Sequence, residues 1–290
     1  MIVKKICVVG AGKWGQNHIR TLNELGNLYG IVESNPDTLK QLKLKYKDLN
    51  CFTNLGDAIK FKFDGFVVAT PAETHYELAK DIIESKNHVL VEKPITHRLE
   101  DAIKLNKLAK ENDVNLMVGH LLLFHPAFVK IKNMIDNGEI GDLQYMYSNR
   151  LNLGTIRTEE NVLWSLAPHD IALFQYFSGL EPLEITSSGN DIVQANIHDT
   201  SITSIKYPNK IMGHIFVSWL HPFKEHRFVI IGSKGMIHFE DSSKDKPLIF
   251  YDKNISWEEN KPVPRISSGK NIEYDFKNPL TEELKYFISC

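Results

Sequence analysis

Short apolar bursts punctuate the first 120 residues, at 6–9, 29–32, 66–69, 89–91 and 116–118. None alternates strictly between apolar and polar positions, which is the pattern of parallel strands covered on both faces. Between the bursts, apolar residues recur at helical spacing. Ile19, Leu22 and Leu25 share one face of a helix expected over 13–25, and Gly26 stops it. A second helix is expected from Thr74, where Glu77 three residues on completes a capping box, to Asn87, and a third over 99–111. This strand–helix alternation predicts an α/β domain with a doubly wound parallel sheet.

After His120 the texture changes. Pro126 opens a helix that closes at Gly138, and another helix is expected over 168–178. Strand-like segments dominate the remainder, at 143–151, 183–188, 201–207, 211–219, 228–231 and 236–239. The turn signals Tyr207-Pro208-Asn209-Lys210 and Gly232-Ser233-Lys234-Gly235 favour antiparallel hairpins. The expectation is a second, α+β domain with an open, mostly antiparallel sheet. The boundary falls at residue 121, giving domains over 1–121 and 122–290.

Composition narrows the class without changing this picture. The 290 residues are 42% apolar and 24% charged, as in an ordinary globular protein. The net charge of −2, from 34 basic and 36 acidic side chains, gives no electrostatic reason for a nucleic-acid or membrane partner. No apolar run approaches the ~20 residues that span a bilayer, and no signal peptide is evident. Three cysteines, Cys7, Cys51 and Cys290, form no CxxC pair, which fits a reducing cytoplasm.

Chemistry enters at the glycine turn Gly10-Ala11-Gly12-Lys13-Trp14-Gly15. It follows an apolar strand and opens a helix, the context in which G-x-G-x-x-G cradles a dinucleotide pyrophosphate over helix N–H groups. Gly10 allows the tight turn, Gly12 the close approach of backbone to phosphate, and Gly15 close packing of helix on sheet. Glu33, at the end of the next strand, stands where a carboxylate accepts from the adenosine ribose hydroxyls and repels a 2′-phosphate, so NAD is favoured over NADP. Two further clusters sit at strand ends, where open α/β sheets bind ligands: Thr70-Pro71 followed by His75, and Glu92-Lys93-Pro94.

Together these motifs resemble the glucose-fructose oxidoreductase / inositol dehydrogenase family, the Gfo/Idh/MocA oxidoreductases. The match is carried by the glycine turn, by Thr70-Pro71-Ala72-Glu73-Thr74-His75 and by Glu92-Lys93-Pro94, and it extends to the Gly138-x-x-Gly141 and Gly232-Ser233-Lys234-Gly235 turns. The resemblance implies a Rossmann domain followed by an open-sheet domain that shapes the substrate pocket and often forms an oligomer interface. It also implies a homo-oligomer, and a catalytic or substrate-orienting role for Lys93. The family commonly carries an aspartate four residues before a histidine on the helix facing the nicotinamide. Here His169 matches the histidine, but Ser165 stands in the aspartate's place, with Asp170 a sequence neighbour. Family members also continue past the Pro279–Glu283 segment with a further helix and tail, whereas this chain stops at Cys290, which reads as a truncation. The stretches from Asn149 to Gly154 and from Trp164 to Asp170, with Arg157 and Glu160-Asn161, are similar to members that oxidise the 3-hydroxyl of nucleotide-linked N-acetylhexosamines.

Oxidising a secondary alcohol with NAD needs a base for the hydroxyl proton and a path for hydride to the nicotinamide. His169, expected in the first turn of a helix beginning at Pro168, is one candidate base, kept neutral by the positive helix end. Lys93 either stabilises the developing alkoxide or is itself the base. Arg150 and Arg157 suit a diphosphate or a carboxylate, or else form surface ion pairs. Asn161 suits sugar hydroxyls or an N-acetyl group. His125 lines the substrate site or caps the helix that follows it. With no third clustered ligand beside His120 and His125, no metal site is expected.

Overall fold

The computed structural model describes residues 3–47 and 49–290, and the chain divides into two compact units. The first comprises residues 1–121 together with 278–290. Its strands are β1 (Ile6–Val9), β2 (Leu28–Val32), β3 (Asn50–Phe52), β4 (Gly65–Val68), β5 (His88–Glu92) and β6 (Leu116–Gly119). They form one parallel sheet in the order β3-β2-β1-β4-β5-β6. The chain reverses its direction of travel between β1 and β4, so a crevice opens beyond the carboxyl ends of these two strands.

Strand alternation sends successive side chains to opposite faces. Cys7 and Val9 join Phe66, Val68, Val89 and Val91 on one face, under Ile82 and Ile83 of α4 (His75–Glu84) and Leu105 of α5 (Leu99–Asn112). Ile6 and Val8 join Ile31, Val67 and Leu90 on the other, under Ile19 and Leu22 of α1 (Gly15–Glu24). Each such side chain, removed from water, contributes about 1.5–3 kcal/mol.

Two helices went unread in the sequence, α2 (Pro36–Lys45) and α3 (Leu55–Ile59). Both start at an asparagine cap: Asn35 accepts from the N–H groups of Asp37 and Thr38, and Asn54 from that of Asp57. The capping box expected at Thr74 does not form. Thr74 has a helical backbone (φ −95°, ψ −10°) instead of the extended one a cap requires. Its hydroxyl lies 2.7 Å from both Thr70 Oγ1 and the Pro71 carbonyl, and α4 begins one residue later.

The second unit spans 122–277. Two helices, α6 (Pro126–Asp136) and α7 (Val162–Ser178), cover one face of an eight-stranded sheet. The sheet strands are β7 (Leu143–Leu153), β8 (Glu184–Asn190), β9 (Thr200–Lys206), β10 (Met212–Ser218), β11 (Leu220–Gly232), β12 (Met236–Glu240), β13 (Leu248–Tyr251) and, after a separate hairpin of β14 (Asn254–Glu258) and β15 (Lys261–Arg265), β16 (Gly269–Asn271). Their order is β16-β13-β12-β11-β7-β10-β9-β8, with β7 and β10 parallel and every other neighbouring pair antiparallel. The core fills with Phe128, Ile131, Phe174 and Phe177 from the helices against Met146, Ile215, Phe228, Ile230 and Phe239 from the strands.

Two expectations are corrected here. The helix read as starting at Pro168 starts at Val162, capped by Asn161, whose side chain accepts from the Trp164 N–H at 3.1 Å. Pro168 therefore lies in its interior, where a proline costs about 3 kcal/mol. Burial of Leu173, Phe174 and Phe177 offsets that cost. The last helix, α8 (Pro279–Ser289), belongs to the first unit and not to the second domain. Its apolar face of Leu280, Leu284 and Phe287 needs an apolar counterpart, and Ile19 and Leu22 of α1 supply it. Among the described residues, no helix is long and apolar enough to cross a membrane.

Candidate dinucleotide and catalytic site

The glycine turn links the end of β1 to α1. Gly10 has φ +92°, and a Cβ there would lie 2.7 Å from Thr70 Cγ2. A Cβ on Gly15 would lie 2.1 Å from the Gly10 carbonyl oxygen, so helix and turn approach as closely as only glycine permits. At Gly12 a Cβ would meet nothing, so this part of the turn faces open space. Lys13 is exposed, and Trp14 supplies no side-chain cap to α1. Gln16 N–H donates to the Gly12 carbonyl, and Asn17 and His18 N–H to that of Trp14, so the place for an anion is the turn ahead of Gln16. Glu33 braces this turn: its Oε2 accepts from Ala11 N–H and its Oε1 from Asn35 N–H, each at 2.8 Å. An open cradle, an uncapped helix end and a carboxylate at the end of β2 fit a dinucleotide.

At the end of β5, Glu92 is held by N–H donors. Its Oε1 accepts from the Trp14 indole and lies 2.7 Å from His18 Nε2, and its Oε2 accepts from the Lys93 N–H at 3.2 Å. Burial raises its pKa, but the bonds from His18, Trp14 and Lys93 outweigh burial and hold it below the ordinary carboxylate range. Glu92 is thus an anion joining the cofactor turn to Lys93, which is half-buried and precedes a cis proline, Pro94. His18 was missed in the sequence. Its signal is its position four residues after Trp14, on the same helix face.

Thr70 and Pro71 stand at the end of β4, half-buried and exposed respectively. His75, expected to touch the cofactor, is 1% exposed. Its Nδ1 lies 2.8 Å from the Pro94 carbonyl and its Nε2 2.9 Å from that of Thr70. Both ring nitrogens are engaged inside the protein, so the ring braces the two strand ends instead of facing a ligand.

The second unit gathers the remaining candidates differently from the expectation. His169 lies mid-way along α7, so the helix N-terminus invoked to keep its ring neutral is two turns away. Arg150, on β7, directs Nε to Asp170 Oδ2 at 2.9 Å and Nη2 to Oδ1 at 3.1 Å. Burial opposes its charge, yet Asp170 more than offsets this and raises its pKa. Its fork is therefore already engaged and is not open to a diphosphate. Asp170, the sequence neighbour of His169, is likewise committed to Arg150. Arg157 is exposed and pairs with Glu159 and Glu160 at 3.4 and 3.1 Å. Asn161 Oδ1 is taken by its cap. His125 is 3% exposed and its Nδ1 accepts from Ala127 N–H at 3.2 Å, so it caps α6 and is not open to a substrate. Among the described residues, no group of three or more His, Cys, Asp or Glu side chains is arranged to hold a metal ion.

Residues 4–120 match the model of an oxidoreductase family with an NAD-binding Rossmann fold, and residues 128–238 match the GFO/IDH/MocA C-terminal domain. Myo-inositol 2-dehydrogenase from Thermotoga maritima is 26% identical over 302 residues, covering 98% of this chain and 87% of that protein. The crystallised UDP-N-acetylglucosamine 3-dehydrogenase GnnA from Acidithiobacillus ferrooxidans superposes with a TM-score of 0.87 at 21% identity, covering 100% of this chain and 89% of that one. The WlbA dehydrogenase from Bordetella pertussis, in complex with NADH and UDP-GlcNAcA, gives 0.76 at 21% identity over 84% of this chain and 80% of that one.

Proposed function

This chain belongs to the Gfo/Idh/MocA oxidoreductase family, and from that premise we propose that it oxidises a secondary sugar hydroxyl with NAD, at C3 of a UDP-N-acetylhexosamine or its uronate. Such a product serves surface polysaccharide or lipid A precursor synthesis. The observation that carries the reading is the direct coupling of the cofactor turn to Lys93 through Glu92. The likeness to a UDP-N-acetylglucosamine 3-dehydrogenase supports the choice of substrate.

NAD, when bound, supplies the hydride acceptor. Lys93, its backbone N–H fixed by Glu92, hydrogen-bonds the reacting oxygen and stabilises the alkoxide as it forms. His169 takes the hydroxyl proton as general base. Arg157 exchanges its carboxylate partners, exposed Glu159 and half-buried Glu160, for the diphosphate, and at Glu159 this sacrifices little because exposed ion pairs contribute only about 0–1 kcal/mol. The subunits form a homo-oligomer.

The engagement of Arg150 with Asp170 favours a second reading, an inositol or free-sugar dehydrogenase, because it removes one of two arginines suited to a diphosphate. Absorbance of reduced nicotinamide decides between them. Turnover with UDP-N-acetylglucosamine or its uronate is expected. Turnover with myo-inositol alone would move the assignment to the second reading, and tight NAD binding without turnover of any sugar would make the protein a binder only.

A further inference from the structure

Helix α7 runs unbroken from Val162 to Ser178 but lacks one backbone hydrogen bond close to the proposed base. Pro168 has no N–H to offer the carbonyl of Trp164, so one rung is missing in the turn immediately ahead of His169. With one rung fewer, the turn relies more on side-chain bonds to fix its azimuth, and a catalytic group needs to stand within about 0.5 Å of its productive position. The residue after His169 is Asp170, 1% exposed, and both of its oxygens are bound by one guanidinium. That guanidinium comes from Arg150 on β7, a central strand of the sheet held by β10 on one side and β11 on the other. Two parallel bonds fix rotation as well as distance, which a lysine's single point charge does not do. Stability alone is a poor reason for such a pair, since buried ion pairs seldom improve on apolar packing.

We infer that Arg150 and Asp170 are a positioning pair for His169, the fork on the central strand setting the azimuth of the proline-weakened turn and hence the place of the imidazole. The inference rests on His169 being the base. It gives Arg150 a role other than substrate binding: its loss acts on the chemical step and not on affinity.

Two variants test it. Arg150→Lys keeps the charge and removes the fork. The double variant Arg150→Gln/Asp170→Asn removes both charges while leaving an amide pair, so that no buried ion is orphaned if the first variant folds poorly. Both are expected to lower kcat about tenfold or more with KM for sugar and NAD nearly unchanged, because misplacement by an ångström costs up to about a hundredfold in rate. In a His169→Ala background the same changes are expected to add little further loss, since residues acting as a unit are not additive. NMR of the imidazole carbons in the NAD-bound protein supplies a readout that needs no substrate: the His169 signal is expected to shift and broaden in both variants. A raised KM for the sugar at constant kcat would return Arg150 to the substrate site and overturn the inference. So would an unmoved His169 signal, or full additivity with His169→Ala. If the parent turns over no sugar, the functional reading fails while the NMR comparison still decides this one.

Discussion

Glu33 joins two pieces of backbone through a single carboxylate. One oxygen holds the glycine turn at Ala11 and the other holds the start of α2 at Asn35. The turn is therefore shaped before any dinucleotide arrives, and the ordering it would otherwise need on binding is avoided. In the proposed complex the same carboxylate also accepts from ribose hydroxyls. Glu33→Ala removes the brace and the acceptor together. Hydrogen bonds to a charged group contribute about 1.5–3 kcal/mol, so NAD affinity is expected to fall about tenfold or more. Isothermal titration with NAD measures this directly, and an unchanged Kd would exclude Glu33 from the site.

At the scale of elements, α7 shows what local sequence conveys and what it conceals. The pair Pro168-His169 has the look of a helix start, because proline is favoured at the first helical position. The true start is set by Asn161, whose cap bond competes successfully with that signal. Asn161→Ala is expected to destabilise the second unit by about 1 kcal/mol, seen as a lower urea midpoint at unchanged slope. An unchanged midpoint would mean that tertiary packing alone sets this helix end. The buried strands and the glycine turn were legible because their signals are local: apolar bursts, and glycines at fixed spacing. β11 was read as four residues and runs from Leu220 to Gly232, its first half too polar for an apolar burst yet paired with β7. The partners of site residues were not legible for a related reason. Arg150 and Asp170 lie 20 residues apart, and His18 and Glu92 lie 74 apart, so only the folded chain shows which charges meet.

At the scale of the whole molecule, the chain's return to its first unit through α8 carries Glu283 into a buried place. Glu283 is 1% exposed, and among the described residues neither of its oxygens has a hydrogen-bond partner. Burial, and then the charge of Glu92, push its pKa up to about 8 from an ordinary 4.5. The sign of the effect on stability follows from linkage. The folded state holds this proton more tightly than the unfolded chain, so the stability it confers is complete below pH 4.5 and is lost progressively as pH rises through 8. One such group gives a slope of at most about 1.4 kcal/mol per pH unit within that window. Glu283→Gln keeps the shape and never ionises. It is expected to be more stable than the parent at pH 7, with a gap that widens from pH 5 to about 8 and then levels off. Urea unfolding of both proteins across pH 5 to 9 measures the gap, and parallel stability curves would show that Glu283 ionises without penalty where it stands.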